Sequence, residues 1–185
     1  SGILIQSTSI PGVAQRTGAT AYYLEMMHAL ESHAIDPVFG LYPAPGYIDI
    51  AVASELIEAG RLLEKGLVSP DRTTLIASTH RIYAMAERTA LGDGRFDTQG
   101  IMTAARELSH RLVMSDLVDL ARERNTALNA IILGAIAGTG LLPFSNNALE
   151  TAITTRGISI ASNLEGFHAG LELANTQSVT ENSVD

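Results

Sequence analysis

An arginine among small and hydroxyl residues is the first feature of this sequence that could bind an anion. Gln15, Arg16, Thr17 and Gly18 follow shortly after the apolar run Ile3-Leu4-Ile5. A guanidinium presents five N–H donors in a planar fork that suits a carboxylate or a phosphate, and glycine lets the backbone approach a ligand closely. The segment therefore predicts an anion or partner contact, with a plain connection between two strands as the alternative.

A second group of polar residues follows the predicted strands, at the points where the strands end. Ligands of open α/β sheets bind beyond the carboxyl ends of the strands, so we expect these residues to converge on one site. His80 could exchange a proton near neutral pH or only bond a loop. Glu55 and Asp116 could instead complement or cap a helix start. The group consists of Ser7, Thr8, Ser9, Ser54, Glu55, Ser78, Thr79, His80, Arg81 and Asp116.

Short apolar runs that alternate with helical patterns predict the elements that position these residues. Near-continuous apolar runs are typical of strands buried on both faces, and the later part of the sequence carries only helical patterns. We therefore predict an α/β fold, a three-layer Rossmann-like domain with a mainly parallel or mixed sheet and a helical C-terminal third. The domain is expected to span residues 1–174, with a disordered tail at 175–185. The predicted strands are 3–7, 21–26, 48–54, 73–78 and 111–115, and the predicted helices are 55–65, 98–110, 117–124, 127–138, 146–155 and 159–173.

Composition excludes several functional classes. The 185 residues carry a net charge of −8, and no basic cluster is present to neutralise nucleic acid or an anionic membrane surface. The sequence has no cysteine, which excludes disulfides and iron–sulfur ligation by this chain. Its five histidines lack the spacing of a metal site. Without a secretory signal or a spanning apolar run, the protein is expected to be cytoplasmic.

Several short sequence segments match the motifs of a known family in the same order along the chain. Gly12-Val13-Ala14-Gln15-Arg16-Thr17-Gly18-Ala19-Thr20 is similar to a Gln-Arg-Gly-Gly-Ser segment. Similar words follow at 52–61, 72–83, 92–97, 141–144 and 163–167, together with Asn129 and Gly134. Through these segments the sequence resembles the gamma-type domain of 2-oxoacid:acceptor oxidoreductases, and is closest to indolepyruvate oxidoreductase subunit beta.

Two departures from the family pattern are visible. Thr17 stands where ferredoxin-linked members carry glycine, which points to the aryl-pyruvate branch. The strand and Gly-x-Gly-Gly-x-Gly turn that open the family's domain have no counterpart, although a strand, crossover and return strand need about 30 residues. The sequence is therefore expected to be a segment of a longer polypeptide.

The resemblance implies a complex that oxidatively decarboxylates a 2-oxoacid to acyl-CoA. Thiamine diphosphate and iron–sulfur clusters would lie on a partner subunit, with coenzyme A as co-substrate. This chain would be accessory and inactive alone, without catalytic residues, cofactor or metal of its own, and a homo-oligomer contact is expected. The alternatives are a free-standing small-molecule binding module and a dimerisation domain whose Gly134/Gly138 helix packs against its twin. The residues expected to contact an anion, coenzyme A or the partner are Gln15, Arg16, Thr17, Gly18, Ser54, Glu55, Ser78, Thr79 and His80.

Overall fold

The structure, a computed structural model, describes residues 2–11, 20–28, 38–80 and 97–177. It divides into two compact units, Ser1–Ala44 and Pro45–Asp185. The first unit contains a pair of antiparallel strands, and the second contains a parallel sheet with its helices.

The first unit is built on the strands β1 (Ile3–Pro11) and β2 (Thr20–His28). They pair antiparallel from Ile3 opposite His28 to Pro11 opposite Thr20. Both strands agree with the prediction from the sequence, but the expected burial of both faces is wrong. Ile5 and Leu24 are each 52% exposed, and Tyr22 is 75% exposed, because a two-stranded ribbon leaves much of its surface uncovered.

The second unit contains the parallel sheet that the sequence predicted. Its three strands are β3 (Ile50–Ala53), β4 (Thr74–Ser78) and β5 (Arg111–Ser115), in the order β3-β4-β5. Helix α1 (Leu56–Glu64) lies between β3 and β4 in the sequence, and α2 (Thr98–Leu108) lies between β4 and β5. The remaining described helices follow β5: α3 (Leu117–Glu123), α4 (Leu128–Ala137), α5 (Asn146–Arg156) and α6 (Ile160–Thr176).

Helices cover both faces of this sheet. Successive side chains of a strand point to opposite faces, so Leu75 and Ala77 of β4 pack with α1 and α2, in a cluster that includes Ala59 and Ala105. Ile76 points the other way and joins a second cluster formed with α3, α4 and α6; its further members are Val113, Leu117, Ala121, Ile131, Ala135 and Ala174. The predicted three-layer α/β architecture is confirmed for the second unit.

The glycines of α4 and α6 let these two helices meet backbone to backbone. A Cβ on Gly134 would lie 2.7 Å from the carbonyl carbon of Phe167, and a Cβ on Gly170 would lie 2.7 Å from the amide nitrogen of Ala135. No side chain fits at such distances. The face of α4 that carries Gly134 and Gly138 is thus filled by α6 of the same chain, which contradicts the expectation that it packs against a second copy.

The C-terminal helix continues beyond Leu173, the end predicted from the sequence. Helix α6 includes Asn175 and Thr176, where a disordered tail was expected to begin, and residues 178–185 lie outside the described part. The Gln177 amide donates to the carbonyl of Met114 (3.1 Å) and accepts from its N–H (2.8 Å). Gln177 therefore pairs the N–H and the carbonyl of Met114 on the free edge of β5. In an uncovered edge strand these backbone groups would have no protein partner. Within the described residues, the helices are all too short or too polar to cross a bilayer.

Candidate functional site

A buried serine hydroxyl holds the carboxyl ends of β4 and β5 together. The Ser78 side chain ends β4, is fully buried, and accepts hydrogen bonds from the amides of His80 and Leu117, each at 3.2 Å. The Thr79 amide in turn donates to the carbonyl oxygen of Ser115, at the end of β5, at 2.9 Å. Because buried polar groups need partners, these bonds fix the backbone that follows β4. Ser78 thus positions the site rather than facing a ligand.

Asp116 and His80 approach each other at this edge. One carboxylate oxygen of Asp116, Oδ1, accepts from the amides of Val118 and Asp119, each at 3.0 Å, and so caps α3. The other oxygen, Oδ2, lies 3.5 Å from Nδ1 of His80. The two side chains are 34% and 27% exposed, so the pair is partly shielded from water yet accessible to a ligand.

The start of α1 reaches the same edge of the sheet. The carbonyl oxygen of His80 accepts from the amide of Leu56 at 3.2 Å. Glu55 takes the N-cap position of α1, but its side chain makes no capping hydrogen bond. Its carboxylate is therefore not committed to the helix, whereas the cap expected at Asp116 is present. Ser54 precedes Glu55 and is exposed.

These groups can move a proton or bind a polar ligand. An imidazole with a carboxylate beside one nitrogen is suited to accept and donate protons through the other nitrogen. Across the described ranges, no group of three or more histidines and carboxylates is arranged to hold a metal ion. The His80–Asp116 pair offers proton transfer and hydrogen bonding to a ligand at this edge.

The predicted site residues apart from Ser54 and Glu55, which lie at the start of α1, fall into three groups. The prediction that the strand ends converge holds for Thr79, His80 and Asp116, which the structure brings together around Ser78. The predictions for Gln15, Arg16, Thr17, Gly18 and Arg81 lie outside the described residues and stay predictions. The prediction that Ser7, Thr8 and Ser9 follow the end of a strand of the parallel sheet is wrong. They lie inside β1, opposite Leu24, Tyr23 and Tyr22, because β1 continues to Pro11 in a separate antiparallel pair.

The second role of Asp116, which faces His80 as well as capping α3, was not predicted from the sequence. The signal was present in the strand register. Ser78 and Ser115 are partners in the β4–β5 ladder, so residues just after them must emerge side by side at the carboxyl edge. Pairing β4 with β5 from the sequence would therefore have predicted the contact between His80 and Asp116.

Fold and site together define a three-layer α/β domain with polar groups gathered at the carboxyl edge of a parallel sheet. The comparison with protein families identifies its family. The model for pyruvate ferredoxin/flavodoxin oxidoreductase matches residues 1–173 of the 185. The chain belongs to this family of 2-oxoacid oxidoreductases. A search of curated proteins and a search of solved structures each returned no significant match.

Proposed function

We propose that this chain is an accessory, gamma-type component of a complex that oxidatively decarboxylates an aryl-pyruvate, such as indolepyruvate, to its acyl-CoA. The observation that carries the proposal is the family match over residues 1–173. Thr17, in place of the glycine of ferredoxin-linked members, supports the aryl-pyruvate branch.

The absence of cysteine supports the division of labour in such a complex. Iron–sulfur clusters are held by cysteine thiolates, and the sequence has none. We therefore assign the clusters to cysteines outside this sequence, on a partner subunit, and propose that the same subunit binds the thiamine diphosphate. The chain's own contribution is to help bind coenzyme A and to assemble with that subunit.

The carboxyl edge of the parallel sheet is the proposed binding region in the second unit. Thr79 and His80 have backbones fixed by hydrogen bonds to neighbouring elements, and the Glu55 carboxylate is free of the helix cap. A rigid backbone that presents polar side chains favours a defined ligand pose. In the first unit, Arg16 is proposed to pair with an anion, either a phosphate of coenzyme A or an acidic residue of the partner.

Reconstitution with the thiamine- and cluster-bearing subunit of the same organism tests this function. The assay follows acyl-CoA formation and reduction of an artificial electron acceptor, with indolepyruvate, phenylpyruvate and pyruvate as substrates. We expect acyl-CoA to form only when both chains and coenzyme A are present, with aryl-pyruvates preferred. If the two chains neither associate nor alter each other's turnover, the proposal is wrong.

Substitution of Arg16 tests the anion contact in the same assay. Arg16→Lys keeps the charge but removes bidentate hydrogen bonding, and should weaken binding of the anion by about 1–3 kcal/mol if the bond is charge-assisted and buried. The matched control is Arg124→Lys, because Arg124 is exposed and pairs with Glu165 on the surface. Equal activity and assembly of the two variants would contradict a role for Arg16.

A further inference from the structure

The two oxygens of Asp116 serve different neighbours, and this division constrains the imidazole of His80. Oδ1 is occupied by two backbone amides of α3, which leaves Oδ2 to face Nδ1 of His80 at 3.5 Å. An ionised carboxylate can only accept hydrogen bonds. A neutral imidazole placed against it is stabilised when the hydrogen is on Nδ1, and Nε2 then carries the lone pair.

The distance and the fixed backbone agree with a site that is ready for a ligand. A separation of 3.5 Å is longer than a well-formed N–H···O bond, and hydrogen bonds of unliganded reactive sites are often long until the ligand binds. The main chain of His80 is held at both its N–H and its carbonyl. Among the described residues, the His80 ring makes no hydrogen bond, and its ion-pair contact is from Nδ1 to Asp116, so Nε2 has no partner within that part of the chain.

We propose that Asp116 is a positioning residue that fixes His80 in its Nδ1–H tautomer, which makes Nε2 the proton acceptor for a thiol bound at this edge. In the reaction, the S–H bond breaks, its electron pair stays on sulfur, and the proton forms a new bond to Nε2. The products are a thiolate and an imidazolium ring that faces the Asp116 carboxylate. The identification of the proton donor as the thiol of coenzyme A rests on the proposed function. The assignment of the His80 tautomer does not depend on it.

The tautomer is tested by nitrogen-15 NMR of the histidines in the full chain near neutral pH. We expect His80 to show a protonated Nδ1 and an unprotonated Nε2. In Asp116→Asn, the side-chain oxygen can keep the cap of α3, because asparagine is as good an N-cap as aspartate. The amide NH₂ then replaces Oδ2 as a donor toward Nδ1, so the hydrogen should move to Nε2. A wild-type ring with its hydrogen on Nε2, or a variant with an unchanged tautomer, would overturn the proposal.

A matched variant separates this effect from a general effect of the substitution. Asp97 caps α2 through a hydrogen bond from the amide of Gly100 at 2.8 Å, so Asp97→Asn makes the same chemical change at another helix start. Its His80 tautomer should equal that of the wild type. Amide exchange at Val118 and Asp119 should be the same in Asp116→Asn as in the wild type, which verifies that α3 is intact. A tautomer shift of the same size in both variants would contradict the specific role of Asp116.

Titration with coenzyme A tests the identity of the donor. We expect ultraviolet absorbance of the bound thiolate together with a doubly protonated His80 ring, and neither signal with a coenzyme A analogue that lacks sulfur. Both signals should be lost in Asp116→Asn, and the thiolate absorbance should be lost in His80→Gln, which preserves polarity but cannot take the proton. If the tautomer is as expected but coenzyme A leaves the ring unchanged, the thiol step is wrong. Failed assembly in the reconstitution assay would instead count against the proposed function.

Discussion

Replacement of Gly134 by alanine is expected to force α4 and α6 apart. The added Cβ would lie 2.7 Å from the carbonyl carbon of Phe167 and 3.0 Å from the amide nitrogen of Leu171. Both are backbone atoms, so no change of rotamer can relieve the overlap. The two helices can respond only by separating, which loosens the cluster that joins Ile131 and Ala135 of α4 to Ala174 of α6, all of them buried.

The magnitude follows from two opposing terms. Overpacking of a close-packed interior costs about 1–3 kcal/mol and occasionally more, and a backbone-to-backbone clash is at the upper end of that range. Alanine is favoured over glycine in a helix by about 1 kcal/mol, which offsets part of the cost. We therefore expect Gly134→Ala to lower the free energy of unfolding by about 2 kcal/mol. For a chain of this size, this corresponds to a decrease in Tm of about 4–8 °C.

Thermal and urea unfolding, followed by far-ultraviolet circular dichroism, measure this difference. The matched control is Gly60→Ala in α1, where the new Cβ would lie 3.2 Å from Cδ1 of Ile101, the end of a flexible side chain. That variant should have wild-type stability or a gain of up to about 1 kcal/mol. The close packing of α4 on α6 would be refuted if Gly134→Ala had wild-type stability, or if Gly134→Ala and Gly60→Ala lowered the free energy of unfolding equally.

Two further substitutions test hydrogen bonds that hold the sheet. Thr73→Val removes a buried hydroxyl that donates to the carbonyl of Ile48 (2.8 Å) and accepts from the amide of Ser69 (3.0 Å). Urea unfolding should show that the free energy of unfolding falls by about 1–3 kcal/mol, whereas Thr73→Ser, which keeps the hydroxyl, should retain most of the wild-type stability. Equal losses in the two variants would contradict the hydrogen-bond account. Gln177→Ala removes both hydrogen bonds to Met114. The Met114 amide should then exchange with solvent faster, by about tenfold for each 1.4 kcal/mol of lost protection. Unchanged exchange would show that Gln177 does not protect this edge.

Local patterns in the sequence were enough to locate most elements. Each of the five strands and six helices of the described residues overlaps a range that apolar runs or helical periodicity predicted, although β1 and α6 extend further. Asp97, Asp116 and Ser145 cap helices through their own side chains, as short-range chemistry requires. These features depend on neighbours a few residues apart, and the sequence contains all the information that such interactions need.

Contacts between distant segments were decided only by the tertiary structure. The sequence contained β1 and β2 but not their antiparallel pairing in a separate unit, and it showed Gly134 but not that α6 would fill the space beside it. The pair of His80 and Asp116 depends on the β4–β5 register. Strand partners and helix contacts are selected by packing across the whole chain, so residue types near each position do not determine them.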